Sequence, residues 1–83
     1  MNGRNTLFTK NFNMFVIKIK TVSKSFVELG EYKTLVKAKK FAEEQVEKGV
    51  FSNEEYVTLD IYETYQNISA LKKTYHSPHH FSF

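Results

Sequence analysis

Three histidines near the carboxyl end are the first side chains of this sequence that could do chemistry. They are His76, His79 and His80. Imidazole serves as a general base and as a metal ligand, but both roles need a rigid support. These residues follow the last segment with a clear structural pattern, and the chain has no cysteine to complete a metal site. The pattern therefore predicts a solvated tail over residues 76–83, with no catalytic residue, no metal site and no cofactor.

Paired carboxylates are the second candidates, because two neighbouring acids can perform acid–base catalysis. Glu54 and Glu55 fall in a predicted loop, while Asp60 and Glu63 fall on the exterior of a predicted strand. Solvated positions of this kind favour ordinary surface acids. The three glycines are isolated, so the sequence contains no glycine-rich phosphate loop. We therefore expect a protein that is not an enzyme.

Lysine and aromatic side chains interleave on the predicted strands. Alternation is expected to place the following side chains on one sheet face: Lys18, Lys20, Val27, Tyr56 and Tyr62. Such a face can hold phosphates and stack bases. Tyrosine is equally enriched at protein interfaces, and Asp60 in the same row disfavours simple phosphate contact. Three hypotheses stay open for this face. It binds nucleic acid, it binds a protein or a second copy of the chain, or it is covered by a short helix that is predicted near the carboxyl end.

A predicted helix carries a second set of candidate binding residues. Lys37, Lys39 and Lys40 precede three acids, Glu43, Glu44 and Glu47. This order opposes the helix dipole, which favours acids in the first turn and bases in the last. Lys–Glu pairs at a spacing of four offset part of the cost. The layout indicates either a helix surface used for binding or a solvated surface that tolerates the order.

Composition limits the class of protein. A chain of 83 residues fits one domain, and the absence of cysteine suits a reducing cytoplasm. The sequence shows no secretory signal and no apolar run long enough for a membrane. Residues 1–40 carry nine basic and two acidic groups, a net +7, and residues 41–83 carry three basic and seven acidic groups, a net −4. Eleven lysines against one arginine indicate an A/T-rich genome of a bacterium or phage.

Apolar periodicity predicts the elements. Residues 14–20 and 56–65 alternate with a period of two, as half-buried strands do. A turn over residues 23–25 leads to a short strand, residues 26–29, which Gly30 ends. Thr34 caps a helix whose apolar residues recur at steps of three and four, and Gly49 ends that helix. Residues 50–55 are predicted as a loop, and Ser69 is predicted to cap a short final helix over residues 70–75.

These elements predict an α+β fold of order β-β-α-β. A right-handed crossover gives a three-stranded sheet of order 2-1-3 with antiparallel neighbours and the helix on one face. Residues 1–13 are expected to form a loosely docked or disordered leader, residues 14–75 the single domain, and residues 76–83 the tail. The predicted core consists of Phe15, Ile17, Ile19, Leu35, Ala38, Ala42, Val46, Val57, Leu59 and Ile61.

The junction between the second strand and the helix is similar to that of a known family. It reads Gly30-Glu31-Tyr32-Lys33-Thr34, followed by Ala38, Phe41 and Ala42. The stretch resembles the junction in the amino-terminal arm-DNA-binding domains of phage-type tyrosine recombinases, and it is equally similar to many short phage-type proteins. Those recombinase domains place three strands before the helix and precede a catalytic domain, so DNA binding by the sheet is not carried over. The resemblance implies a phage or mobile-element setting.

The sequence thus favours a small accessory protein of a phage or mobile element, located in the host cytoplasm. We expect it to bind a host protein and to inhibit or modulate it. The first alternative is a nucleic-acid-binding module that uses the lysines and tyrosines of the sheet and helix. The second alternative is a structural protein that associates with itself as a homodimer. No membrane partner is expected.

Overall fold

The structure is a computed structural model and describes residues 13–79. It contains strand β1 (Met14–Thr21), strand β2 (Phe26–Tyr32), helix α1 (Leu35–Glu47), one 3-10 turn (Val50–Ser52), strand β3 (Tyr56–Tyr65) and strand β4 (Ile68–His76). The fold is α+β, as predicted. The predicted leader, apart from Asn13, and residues 80–83 of the predicted tail lie outside the described residues.

The strands form one antiparallel sheet of order β2-β1-β3-β4. The predicted order 2-1-3 with antiparallel neighbours is confirmed for the first three strands. Helix α1 makes the crossover from β2 to β3, on the other side of β1. The right-handed twist of the chain favours this connection, because it returns the helix onto the sheet.

The prediction of a final helix over residues 70–75 is wrong, because this segment is strand β4 and the sheet has four strands rather than three. Gln66 and Asn67 have φ angles of 51° and 71°, so both lie in the left-handed region. Two such residues in succession form the kind of tight turn that matches the twist of a β-hairpin. The turn pairs β4 with β3, and the pairing then outweighs the weak helical preference of the segment.

Strand β2 is longer than predicted, because it continues through Gly30 to Tyr32. Gly30 pairs with Ile17 and Glu28 pairs with Lys18, so Leu29 is an extra residue that forms a β-bulge. Gly30 lies beneath the ring of Tyr32, whose nearest carbon would be 3.4 Å from an added Cβ. Glycine therefore marks a bulge within the strand and not its end.

Helix α1 begins and ends where the sequence predicts. The Thr34 side chain accepts a hydrogen bond from the backbone N–H of Lys37 at 3.2 Å, which satisfies an orphan donor of the first turn. Gly49 has a φ of 88°, the left-handed conformation that terminates helices. The first turn has no acid and the last turn has no base, so the unfavourable charge order is present. No helix of the described residues is long and apolar enough to cross a membrane.

The core lies between α1 and one face of the sheet. Its buried residues are Ile17, Ile19, Ala38, Ala42, Phe51, Leu59 and Ile61. Six of these seven were predicted. Phe51 was missed because the 3-10 turn that directs it inward falls in a segment predicted as a loop.

The other four predicted core residues lie outside this buried cluster. Phe15 and Leu35 are half-buried and pack against the core. Val46 is 37% exposed, so its prediction as a core residue is wrong. The helix stripe is centred on Ala38 and Ala42, and Val46 lies at its margin near the end of α1. Val57 is buried, but it lies outside the cluster that packs on the helix.

Candidate functional site

The candidate site is the sheet face opposite α1, which we call the distal face. Ile17 and Ile19 face the helix, so alternation turns Lys18 and Lys20 to the other side. Cross-strand pairing then assigns the remaining members of the face. They are Met14 and Val16 from β1, Phe26, Glu28 and Glu31 from β2, Thr58, Asp60, Tyr62 and Thr64 from β3, and Ser69, Leu71, Thr74 and His76 from β4.

Burial on the distal face follows the position of the strand in the sheet. Four residues of this face on the two inner strands are buried, namely Met14, Val16, Thr58 and Asp60, and its other residues on these strands are half-buried. Apolar residues on the two edge strands are open to solvent, since Phe26 is 49% exposed and Leu71 is 55% exposed. The face therefore has a closed centre between two accessible apolar margins.

A shallow groove crosses the face diagonally, and each strand contributes one side chain to it. Its lining residues are Lys18, Phe26, Tyr62 and Ser69. The Lys18 Nζ lies 5.6 Å from the centroid of the Tyr62 ring, which is the geometry of a cation–π contact. Burial raises the pKa of the Tyr62 hydroxyl, and the charge of Asp60 and a hydrogen bond to its carboxylate raise it further. Tyr62 is therefore neutral at physiological pH and can both stack and donate a hydrogen bond.

Two polar atoms at the closed centre lack hydrogen-bond partners. They are the Oδ1 atom of Asp60 and the Oγ1 atom of Thr58, whose residues are 5% and 7% exposed. Lys18 lies directly opposite Asp60 in the neighbouring strand, yet its ammonium contacts the Tyr62 ring instead. Buried polar groups are normally satisfied, so two neighbouring exceptions point to a function.

The distal face has nearly balanced charge. Among residues 13–79 it carries two lysines, Lys18 and Lys20, against three carboxylates, Glu28, Glu31 and Asp60. With His76 neutral, its formal charge is −1. A surface that binds the phosphate backbone carries a clear excess of positive charge. The face therefore lacks the electrostatic character of a nucleic-acid platform.

The structure separates the predicted site residues into different groups. Lys18, Lys20 and Tyr62 lie together on the distal face, as expected. Tyr56 does not join them, because it packs against the core on the helix side. Thr21 pairs with Tyr56 and Lys20 pairs with Thr58, so a β-bulge at Val57 reverses the expected side.

Val27 is also on the helix side, since it pairs with the core residue Ile19. The candidate acid pair separates in the same way. Asp60 faces the distal side, whereas Glu63 pairs with Phe15 on the helix side. Glu63 accepts a hydrogen bond from Asn13 and forms an ion pair of 3.5 Å with Lys72. These two carboxylates therefore cannot act together on one substrate.

The predicted helix residues lie on the opposite side of the molecule from the distal face. Lys37, Lys39 and Lys40 are exposed on α1, which covers the other face of the sheet. Lys39 and Lys40 line a shallow surface depression with Val36 and the three acids of the helix. One surface patch cannot include both these lysines and Lys18. The structure thus divides the predicted binding set into two separate surfaces.

Of the three histidines, His76 and His79 lie in the described part of the chain. His76 ends β4 and pairs with Thr58, so it belongs to the sheet rather than to the predicted tail. The following residue, Ser77, is buried, and its N–H donates to the Val57 carbonyl at 2.9 Å. Over residues 13–79, no three His, Cys, Asp or Glu side chains converge on a metal-binding position.

Sequence reasoning missed the apolar margins of the distal face and the orphaned acceptor Thr58. Leu71 was missed because β4 was predicted as a helix. Phe26 was recognised as a strand residue, but no local signal distinguishes an edge strand from an inner one. Residues 68–73 are exposed without interruption, so neither face of this part of β4 is covered by α1.

Comparison with known protein families, with curated proteins and with solved structures finds no match to this chain.

Proposed function

We propose that this protein is a non-catalytic binding module that recognises a protein partner through the distal face. The observation that carries the proposal is the arrangement of this face. Accessible apolar side chains, Phe26 and Leu71, flank a half-buried tyrosine, Tyr62, within a surface of nearly balanced charge. Aromatic anchors surrounded by mixed polar residues are typical of protein interfaces.

The groove across the face supports this proposal. Its four lining residues come from four strands, so the sheet holds them at fixed spacing. A rigid groove loses little conformational entropy on binding, because its backbone is already ordered. A partner side chain that enters the groove would contact the rings of Phe26 and Tyr62 together.

The setting that we propose is a phage or mobile element, with a host protein as the partner and inhibition or modulation as the effect. Support comes from the lysine-rich composition and from the resemblance of residues 30–42 to phage-type proteins. The small size suits an accessory protein that acts by occupying a surface of a larger one.

A capture experiment with matched variants tests the proposal. The full chain is immobilised and exposed to a bacterial lysate, with and without nuclease. We expect a protein to be retained after nuclease treatment and to be lost when Phe26→Ser is combined with Leu71→Ser. Val36→Ser is the control, because Val36 is an exposed apolar residue on the outer surface of α1.

The proposal fails if nuclease removes the captured material. It also fails if the double variant of the distal face retains the partner as well as Val36→Ser does. The circular dichroism spectrum and melting temperature of each variant are measured first. Both substituted margins are exposed, so we expect shifts within about 0.5 kcal/mol of unfolding free energy.

A further inference from the structure

We infer that Asp60 and Thr58 form a recognition site for a cationic side chain of the partner, a guanidinium or an ammonium group. This inference deepens the proposed function, because it states which chemistry the partner must present to the distal face. It depends on two orphaned acceptors, on their burial and on the groups around them.

The burial of Asp60 is the first observation. A carboxylate that is 5% exposed has lost most of its hydration. Burying a charge is costly unless the charge is paired and hydrogen-bonded. The Oδ1 atom nevertheless has no hydrogen-bond partner, and the neighbouring Thr58 Oγ1 has none either. The free chain therefore retains two unsatisfied polar atoms, which are closed to solvent and which a donor from outside could satisfy once a neighbouring side chain turns away.

The position of Lys18 is the second observation. Lys18 pairs with Asp60 on one side and with Glu28 on the other. Its ammonium lies over the Tyr62 ring and makes no ion pair with Asp60. A cation that enters from a partner can take the position over Tyr62, while Lys18 turns towards Glu28. The face thus already holds one cation on an aromatic ring beside a carboxylate that makes no ion pair and has one oxygen, Oδ1, without a hydrogen-bond partner.

The chemistry of the acceptors selects the ligand. A carboxylate and a hydroxyl oxygen on the same strand face, two residues apart, require several donors on one small group. Guanidinium presents five N–H donors in a planar fork and also stacks on aromatic rings. Ammonium presents three donors and binds aromatic faces less specifically. Anions are disfavoured by Asp60, and a divalent metal needs more oxygen ligands than this pair supplies.

The test uses a minimal probe with the full-length protein. The probe is Nα-acetyl-arginine methylamide, and the comparison compound is its citrulline analogue, which has the same shape without the charge. Binding is followed by backbone amide shifts in two-dimensional NMR. We expect saturable millimolar binding, with shifts at Thr58, Asp60 and Tyr62. The citrulline analogue should bind at least about ten-fold more weakly, because a charged hydrogen bond is lost.

Three variants assign the binding to Asp60. Asp60→Asn should weaken probe binding about ten-fold or more. Glu31→Gln is the matched control, because it removes an exposed acid from the same face that pairs with Val16 and not with Lys18, and it should change the affinity less than about two-fold. Lys18→Met should strengthen probe binding, since it removes the competing cation over Tyr62.

The inference is overturned if Asp60→Asn binds the probe as the wild type does, or if no shifts occur near Asp60. It is also overturned if Lys18 already neutralises Asp60 in solution. In that case Lys18→Met would not strengthen probe binding. A double-mutant cycle of Lys18→Met and Asp60→Asn would then show strong coupling in the free energy of unfolding.

The two proposals can fail separately. If the probe does not bind but capture still depends on Phe26 and Leu71, the distal face is a protein interface without a cation site. If the probe binds at Asp60 but capture ignores Phe26 and Leu71, the cation site stands and the proposed protein interface fails. If both hold, Asp60→Asn should also lose the captured partner.

Discussion

Tyr75 links strand β4 to helix α1 by a single hydrogen bond. Its hydroxyl donates to the Oε2 atom of Glu43 at 3.0 Å. Burial raises the pKa of Tyr75, and the hydrogen bond to Glu43 and the charge of Glu43 raise it further, to about 12. The neutral hydroxyl is therefore the form that the folded protein favours.

This shift predicts a loss of stability at alkaline pH. The folded pKa lies above the unfolded value of 10.0, so the contribution of Tyr75 is complete below pH 10.0 and declines as pH rises towards 12. Tyr75→Phe should lower the unfolding free energy at pH 7 by about 0.5 kcal/mol, because the bond is accessible to solvent. It should also reduce the alkaline decline. Urea unfolding at several pH values measures both effects.

The control for Tyr75 is Tyr65→Phe at the exposed end of β3. Its stability profile should follow that of the wild type. Tyr62 has a raised pKa as well, so Tyr75→Phe should keep part of the alkaline decline. An unchanged decline in Tyr75→Phe would show that the hydrogen bond to Glu43 does not form in solution.

At the scale of the element, helix α1 depends on close packing of two alanines against the sheet. Ala38 and Ala42 are completely buried, which lets the helix backbone approach the strands. Ala42→Asp should abolish cooperative thermal unfolding, because it buries an unpaired charge. The control Val36→Asp should remain folded, since Val36 is exposed near the start of the same helix. A folded Ala42→Asp protein would mean that α1 presents another side to the sheet.

The turn between β3 and β4 is another element with a specific backbone requirement. Gln66 and Asn67 both have positive φ, and glycine adopts this conformation more readily than any other residue. Asn67→Gly should raise the unfolding free energy by a few tenths of a kcal/mol, because it creates a more favourable second position in a two-residue hairpin turn. Asn67→Val should lower it by about 1–2 kcal/mol. Thermal unfolding monitored by circular dichroism measures the two changes.

Equal melting temperatures for these two variants would show that the hairpin does not form as described. The same experiment includes Ser69→Val as a control within β4. Ser69 is exposed and lies outside the turn, so this change should alter the unfolding free energy by less than about 0.5 kcal/mol.

At the scale of the whole molecule, the sheet order mixes the two oppositely charged halves of the chain. Strand β1, from the basic half, lies between β2 and β3. Lys18 consequently lies between Glu28 and Asp60. Because these opposite charges are neighbours, their electric fields largely offset one another at longer range. Salt screens what is left beyond a Debye length, which is about 8 Å at physiological salt. The excess of +7 in residues 1–40 therefore does not translate into a basic distal face.

This charge distribution predicts weak binding to nucleic acids. We expect no affinity tighter than micromolar for mixed-sequence DNA or RNA, single- or double-stranded, at about 150 mM salt. Fluorescence anisotropy measures it. The contrary result would be tighter binding that falls steeply with salt, as counterion release requires. Loss of that binding in Lys18→Glu with Lys20→Glu, but not in Tyr62→Ala, would place nucleic acid on the distal face.

The same measurement with the lysines of α1 substituted separates the two surfaces. Lys37, Lys39 and Lys40 lie across the sheet from Lys18 and Lys20. Binding that depends only on the helix lysines would leave the distal face free for a protein. It would also explain why the basic residues occupy the first half of α1 against the helix dipole.

The amino-acid sequence by itself determined the elements whose signals are local. Thr34 and Gly49 define the ends of α1, because capping depends on neighbouring residues. Alternation defines β1 and β3, and the handedness of the crossover places β1 between β2 and β3. The fold class and six of the buried core residues follow from these signals. Lys18, Lys20 and Tyr62 could be grouped for the same reason.

Only the tertiary structure decided the features that depend on pairing between distant segments. The bulges at Leu29 and Val57 arise from the register between strands, and a shift of one residue moves a side chain such as Tyr56 to the other face. Strand β4 is stabilised by its partner β3, although its own residues also suit a short helix. The unsatisfied oxygen atoms of Asp60 and Thr58 are buried because β3 is an inner strand, and neighbouring strands exclude water from it on both sides. No local pattern encodes which strand will be an inner one.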